Sequence, residues 1–355
     1  MGLTVSRYIS VSVLIIGCIA AQIRLIDAQG APPPSYSIID IGTFGGPTSA
    51  AAGLNRFGDV VGAATTAGGA SHAFLYRTGE LLDLGTLPGG TASYATAIND
   101  RGDIAGYGGI NAFGPEFREF TQGIVWRNGE MRSVGALYCP CSFNVRYGTS
   151  MAFAVSDDGW VVGDSQTNRQ TFRGAFAWQD AIRPLAFDAA APSDSHAFGI
   201  NDIHEVVGDS KARAFLLRDG ISRDLGTLAG DATSSARAIN NKGQVIGVST
   251  DAGGLASAFL WDLGRMRELG MLPGDAASEA LAINDASDAV GRSGNADLSQ
   301  SRAVLWRGGA AIDLTRVVGA ADWMLSSATG INDRGQIVGV GSHGGQARAY
   351  LLTPQ

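Results

Sequence analysis

The sequence predicts an all-β fold: a seven-bladed β-propeller of four-stranded antiparallel blades, its ring closed by the N-terminal strand. Three observations carry this expectation. One phrase returns seven times, beginning at Ala51, Ala95, Ala152, Ala197, Ala236, Ala280 and Ala328. It reads Ala, any residue, Gly or Ala, an aliphatic, Asn, two loose positions, usually Gly, then a β-branched pair closed by Gly. Asn99-Asp100-Arg101-Gly102-Asp103-Ile104-Ala105-Gly106 shows it plainly. A period of about 45 residues over most of a chain marks one supersecondary unit repeated. Each unit also divides into four short β-patterned runs with nothing of helical length between them. Finally, the last unit stops after its third run, and a match for its missing fourth lies at the opposite end of the chain.

The first run, strand a, is Ala95-Thr96-Ala97-Ile98 and its equivalents. Alanine stands four residues before each Asn (Ser156 in the third unit), and Gly or Ala stands two before it. Strict alternation puts both small positions on one face and Leu54, Ile98, Val155, Ile200, Ile239, Ile283 and Ile331 on the other. A strand with one shaved face suits the crowded position nearest a propeller axis. The Asn then turns the chain by bonding the backbone just ahead of it, and Ser156 does so more weakly. Gly58, Gly102, Gly159, Gly243 and Gly335 fit the positive-φ position of a three-residue hairpin, which His204 and Ser287 occupy in the other two units. This turn role is preferred over Asn and Asp acting as Ca²⁺ or sugar ligands.

Strand b follows the turn, as in Gln244-Val245-Ile246-Gly247. Strand c is small, bulky, aliphatic, aromatic: Ala73-Phe74-Leu75-Tyr76, Ala258-Phe259-Leu260-Trp261. Strand d is assigned to Asp83-Leu84-Gly85-Thr86-Leu87 and its echoes at Asp224–Leu228 and Glu268–Leu272. The last unit ends at Ala349-Tyr350-Leu351-Leu352, and Asp40-Ile41-Gly42-Thr43-Phe44 supplies its strand d. A ring closed in this way removes the bare edges of an open stack. Seven blades is the count, with six or eight the alternatives left by the unequal spacing of units two and three.

The chain has 355 residues, 45% hydrophobic, which is enough for a substantial core. Net charge is −7 with no Lys/Arg run, so no nucleic-acid partner is expected. Residues 1–30 read as an export segment. Tyr8–Ala21 is mostly apolar, the size of a signal-peptide core and short for a spanning helix, which needs ~20 apolar residues. Ile15-Ile16-Gly17-Cys18 resembles a lipobox, so membrane contact is expected only if Cys18 is lipidated. Residues 31–35 form a Pro-rich linker and 36–355 the propeller, an extracellular or periplasmic domain expected to be monomeric. Cys139 and Cys141 lack the further ligands zinc needs, and no cofactor or metal is expected. The four histidines are spread over different registers, and no nucleophile elbow, zinc helix or phosphate loop appears.

Three phrases recur in fixed order: Ser71-His72-Ala73-Phe74-Leu75-Tyr76, Asp83–Gly90 and Ala97–Gly102. In these the chain from Tyr36 onward resembles the HAF-type extracellular repeat proteins. The resemblance implies an exported bacterial repeat protein without an agreed activity, and it supplies no catalytic residues. Most units have Arg, Ser or Gly where the family's His would stand, which argues against a shared function for that His.

Turns from a to b should share one face, and the longer b-to-c and d-to-a connections the other, where function usually resides. Two long connections lie around the second blade. The first, 107–122, carries Phe113, Phe117 and Arg118; the second, 138–150, carries Phe143, Arg146 and Tyr147; Arg173 lies in the neighbouring blade's loop. Aromatics mixed with Arg are typical of recognition patches. The alternative is that these aromatics fold inward as a small core for their own loops. The expected function is a non-catalytic scaffold that binds a glycan, a polymer or an envelope or surface protein. The rivals are a secreted polysaccharide hydrolase or lyase and a purely structural surface repeat.

Overall fold

The computed structural model describes residues 34–110, 120–137, 148–166, 173–185 and 194–355. Seven four-stranded antiparallel sheets follow one another, one per repeat. Blade 1 consists of Gly45–Leu54, Val60–Thr66, Ser71–Arg77 and Glu80–Asp83 as strands a to d. The a strands of blades 2 to 7 are Ser93–Ile98, Thr149–Val155, Ser195–Ile200, Thr233–Ile239, Ala277–Ile283 and Trp323–Ile331. Each a strand touches the next around the ring, and the turns that follow all seven border one cavity. Strand a is therefore innermost.

Blade 7 takes its strand d from the N-terminal end of the propeller. Tyr36–Asp40 pairs antiparallel with Gln346–Pro354, from Tyr36 opposite Pro354 to Asp40 opposite Tyr350. The ring closes as expected, but the closing strand precedes the segment assigned from sequence. The same shift recurs elsewhere: strand d is Glu80–Asp83 in blade 1 and Arg265–Glu268 in blade 5, so the run assigned to it mostly leads out of the strand. The cause is local. Asp40, Asp83 and Asp224 each accept from the N–H of the Gly two residues on, at 2.8–2.9 Å. That Gly has positive φ, 91° at Gly42 and 70° at Gly85, which bends the chain toward the next strand a.

Seven apolar clusters fill the seven joins between neighbouring blades. Between blades 1 and 2, for example, Val61, Ala73 and Leu75 meet Ala95, Ile98, Ile104 and Trp126. These clusters correct the sequence reading of strand a. Ala95 and Ile98 pack toward the preceding blade, whereas Ala97 joins the cluster shared with the following one. Strict alternation fails because every a strand carries a β-bulge at the residue between its two small positions. In blade 2, Ala95 opposes Gly106 and Ala97 opposes Ala105, leaving Thr96 as the extra residue. The same shift occurs at Ala52, Phe153, Phe198, Arg237, Leu281 and Thr329. A bulge resets which face the following residues occupy.

Candidate functional site

At one end of the axis the a-to-b turns build a hydrogen-bonded lattice from blade to blade. The Asn oxygen accepts from the backbone ahead of it, as expected: Asn55 Oδ1 takes Phe57 N and Asp59 N, both at 3.0 Å. Gly58, Gly102, Gly159, Gly243 and Gly335 all have positive φ, as do His204 at 63° and Ser287 at 70°. The Ser287 hydroxyl donates to Gln244 Oε1 of the neighbouring blade at 2.8 Å, a bond that offsets its backbone cost.

The Asn nitrogen reaches outward. Asn55 Nδ2 donates to Asn99 O, Asn99 to Ser156 O, Asn201 to Asn240 O, Asn240 to Asn284 O, Asn284 to Asn332 O, and Asn332 back to Asn55 O. A second ring lies beside it. The backbone N–H of Arg56, Asp100, Asp157, Asp202, Asn241 and Asp285 each donates to Oδ1 of the next blade's equivalent residue. Arg56, which has no acceptor, breaks this ring, and its guanidinium pairs with Asp100 at 3.2 Å. Together the turns border a cavity of about 210 Å³. Burial, with Asp202 and Asp100 adding to it, raises the pKa of Asp157. The repeated polar residues are thus engaged in holding blades together. Among the described residues, no group of three or more His, Cys, Asp or Glu is disposed to hold a metal.

Three residues before the turn, the inner strands of blades 3 to 6 depart from the repeat. At the bulge position, where blades 1, 2 and 7 have Ala52, Thr96 and Thr329, they carry Phe153, Phe198, Arg237 and Leu281. The Phe153 and Phe198 rings lie 5.3 Å apart. His196 stacks on Phe198 at 5.6 Å, and the Arg237 guanidinium sits 4.9 Å from the Phe198 centroid. Arg237 also bonds Glu279 at 3.1 Å, and Arg292 holds the second oxygen of Glu279 at 2.7 Å.

An ionic chain runs alongside. Arg173 donates to Asp164 at 2.7 Å, His196 Nε2 lies 3.8 Å from that carboxylate, His196 Nδ1 is 2.8 Å from Asp209, and Ser235 donates to Asp209 at 2.6 Å. The Asp209 bond, opposed by burial, raises the pKa of His196. Burial raises Asp164 against the pull of Arg173. The other histidines also have carboxylate partners: Asp83 for His72, Asp158 for His204, and Asp40 with Asp322 for His343.

Of the residues singled out from sequence, Phe113, Phe117, Arg118, Phe143, Arg146 and Tyr147 lie outside the described residues, as do Cys18, Cys139 and Cys141. Arg173 is described, and Asp164 connects it to His196 on the inner strand. The aromatic-plus-Arg combination expected on the loops is also present on the strands, at Phe153, Phe198 and Arg237. The readable signal was the interruption of a small-residue column. Strict alternation concealed it by leaving the bulged residue without a special place.

No family model matches the chain, and no curated protein matches it either. Solved structures do. A puromycin-hydrolysing peptidase of Mycobacterium tuberculosis is 13% identical at a TM-score of 0.54, over 92% of this chain and 55% of the peptidase. This chain therefore spans about half the length of that peptidase. YCF48, solved bound to a D1 peptide, is 10% identical at a TM-score of 0.51, over 92% of this chain and 98% of YCF48. At such identities the likeness is one of fold, and the chain is a seven-bladed β-propeller.

Proposed function

We propose that the chain is an exported, non-catalytic binding scaffold of the HAF-repeat type. Its partner is a glycan, a polymer or a protein, held on the face of the b-to-c and d-to-a connections. One observation carries the reading: the consecutive run of Phe153, Phe198, Arg237 and Leu281 on inner strands that elsewhere carry Ala or Thr at that position. Blades 1, 2 and 7 close without such side chains, so the fold itself does not require them. Aromatic and Arg side chains on a rigid strand supply contact area at low entropic cost. YCF48 gives a precedent for a propeller with a bound peptide. Export rests on the apolar Tyr8–Ala21 segment.

Screening the domain from Ser35 onward against glycan and peptide arrays tests the proposal, with a Phe198→Ala/Arg237→Ala variant alongside. The expected result is a ligand whose affinity falls by roughly thirty-fold or more in the variant, the cost of losing one anchor. A ligand held equally well by the variant would move the site elsewhere.

The hydrolase or lyase reading has one feature in its favour, the imidazole of His196 between Asp164 and Asp209. Against it, Ser235 bonds Asp209 rather than the imidazole, and the Asp164 side chain is only 3% exposed.

A further inference from the structure

In five of the joins between blades, one apolar side chain from the d-to-a connection packs against the interblade core: Phe44, Leu87, Leu137, Leu228 and Leu272. Three of these plugs are pinned by their own N–H to a serine near the end of the next strand b. Leu137 donates to Ser165 at 2.9 Å, and Leu228 to Ser249 and Leu272 to Ser293 at 3.0 Å. The join between blades 6 and 7 is built differently. Helix α1, Leu314–Val318, replaces the extended run and packs Leu314, Val317 and Val318 on the core, while Gly341 stands where those serines stand. A pocket of about 510 Å³ opens there, with Leu325, Val340 and Ala347 in its lining and Thr315, Arg316 and Met324 around them. The volume falls within the range of small-molecule sites, ~300–1,000 Å³.

The charges in the lining differ in how far they are already committed. Arg302 is held by Asp275 at 2.7 Å and Asp313 at 2.9 Å. Arg316 is 80% exposed, and its contact with Asp313, the carboxylate that Arg302 already uses, is long at 3.5 Å. An anionic group at this lip gains a short charge-assisted bond to Arg316, whereas a neutral or cationic group does not.

We propose that this pocket binds an aliphatic carboxylate of medium chain length. The acyl chain lies along Leu325, Val340 and Ala347, in the space left beside Gly341, and the carboxylate meets Arg316. The site is separate from the inner-strand arc of blades 3 to 6 and does not depend on it.

Titration calorimetry with octanoate, octanamide and N-acetyl-leucine decides the matter, using the wild-type chain with Arg316→Ala and Ala347→Phe. Octanoate should bind with a negative heat-capacity change, the mark of apolar burial. Arg316→Ala should weaken octanoate roughly tenfold and leave octanamide unchanged. Ala347→Phe should abolish both by filling the cavity. If that variant fails to fold, Arg316→Ala still decides, because Arg316 is an exposed lip residue. The proposal is overturned by absence of octanoate binding in the millimolar range, or by equal octanoate affinity in Arg316→Ala. Tighter binding of N-acetyl-leucine than of octanoate would also overturn it, by giving the pocket to a peptide end.

Discussion

The repeated asparagine shows how far a single side chain can be read from sequence. Its oxygen serves a turn two to four residues away, so composition and spacing reveal that role. Its nitrogen serves a carbonyl in the next blade, 44 residues on in the case of Asn240 and Asn284, and no local pattern points there. A serine six residues before each Asn, such as Ser93, behaves similarly. Ser93 Oγ accepts from Ala73 N at 2.8 Å in the preceding blade and donates to Gly85 O at 2.6 Å. Its recurrence in all seven units was visible, but its partner was not. Asn240→Ser should keep the turn, as Ser156 does, and lose the interblade bond at a cost of about 1 kcal/mol. Asn240→Ala strands the Lys242 and Gln244 N–H groups as well and should cost about 2–3 kcal/mol. Urea unfolding of both variants checks the order; equal losses would mean that the nitrogen carries the whole effect.

Elements were legible where they obey a simple period. Strands b and c follow their patterns, whereas strand d begins before the run that patterning assigns to it and strand a does not keep the faces that alternation gives it. A bulge explains the latter, and it also explains why strand b always carries Gly opposite the first small residue of strand a. In all seven blades a Cβ on that Gly, Gly208 for example, would overlap the carbonyl of the residue before that Ala, His196 in blade 4. Gly208→Ala should therefore cost about 3 kcal/mol or more. Gly220→Ala has open space around it but a φ of 75°, so its cost should stay near 1 kcal/mol. Thermal melts of the two variants separate lack of room from backbone strain. The closing strand has its own latch. His343 lies 2.8 Å from Asp40 on that strand and 2.9 Å from Asp322, and it stacks on Trp323 at 4.5 Å, with Arg348 3.9 Å from Asp40. The Asp40 bond foremost raises the pKa of His343. The latch is therefore complete below the ordinary histidine pKa, ~6.5, and is lost as pH rises through the raised value. Amide exchange of Tyr36–Asp40 should quicken with pH over that window beyond its intrinsic rate, and His343→Gln should remove the excess.

At the scale of the molecule, the repeat count and the missing run at its end were enough to predict a closed ring, because closure is a matter of bookkeeping along the chain. The candidate site was harder to read, since its residues come from separate blades and become neighbours only around an axis. Deleting the chain through Asp40 should bare the edge of Gln346–Pro354. The loss of Tyr36, only 1% exposed, should alone cost about 3–5 kcal/mol, and self-association should appear in sedimentation. A truncated chain that stays monomeric and melts like the parent would refute closure by this strand. The antiparallel pairing of the closing strand has a mechanical consequence. Tyr36 faces Pro354 and the Gln355 N–H donates to Ser35 O, so both ends of the propeller leave from the same end of the same strand pair. A pull on those two points does not shear the pair, which would load all its bonds together. It unzips them one after another from Tyr36 toward Asp40, so the ring should open under tension at a low and stepwise force.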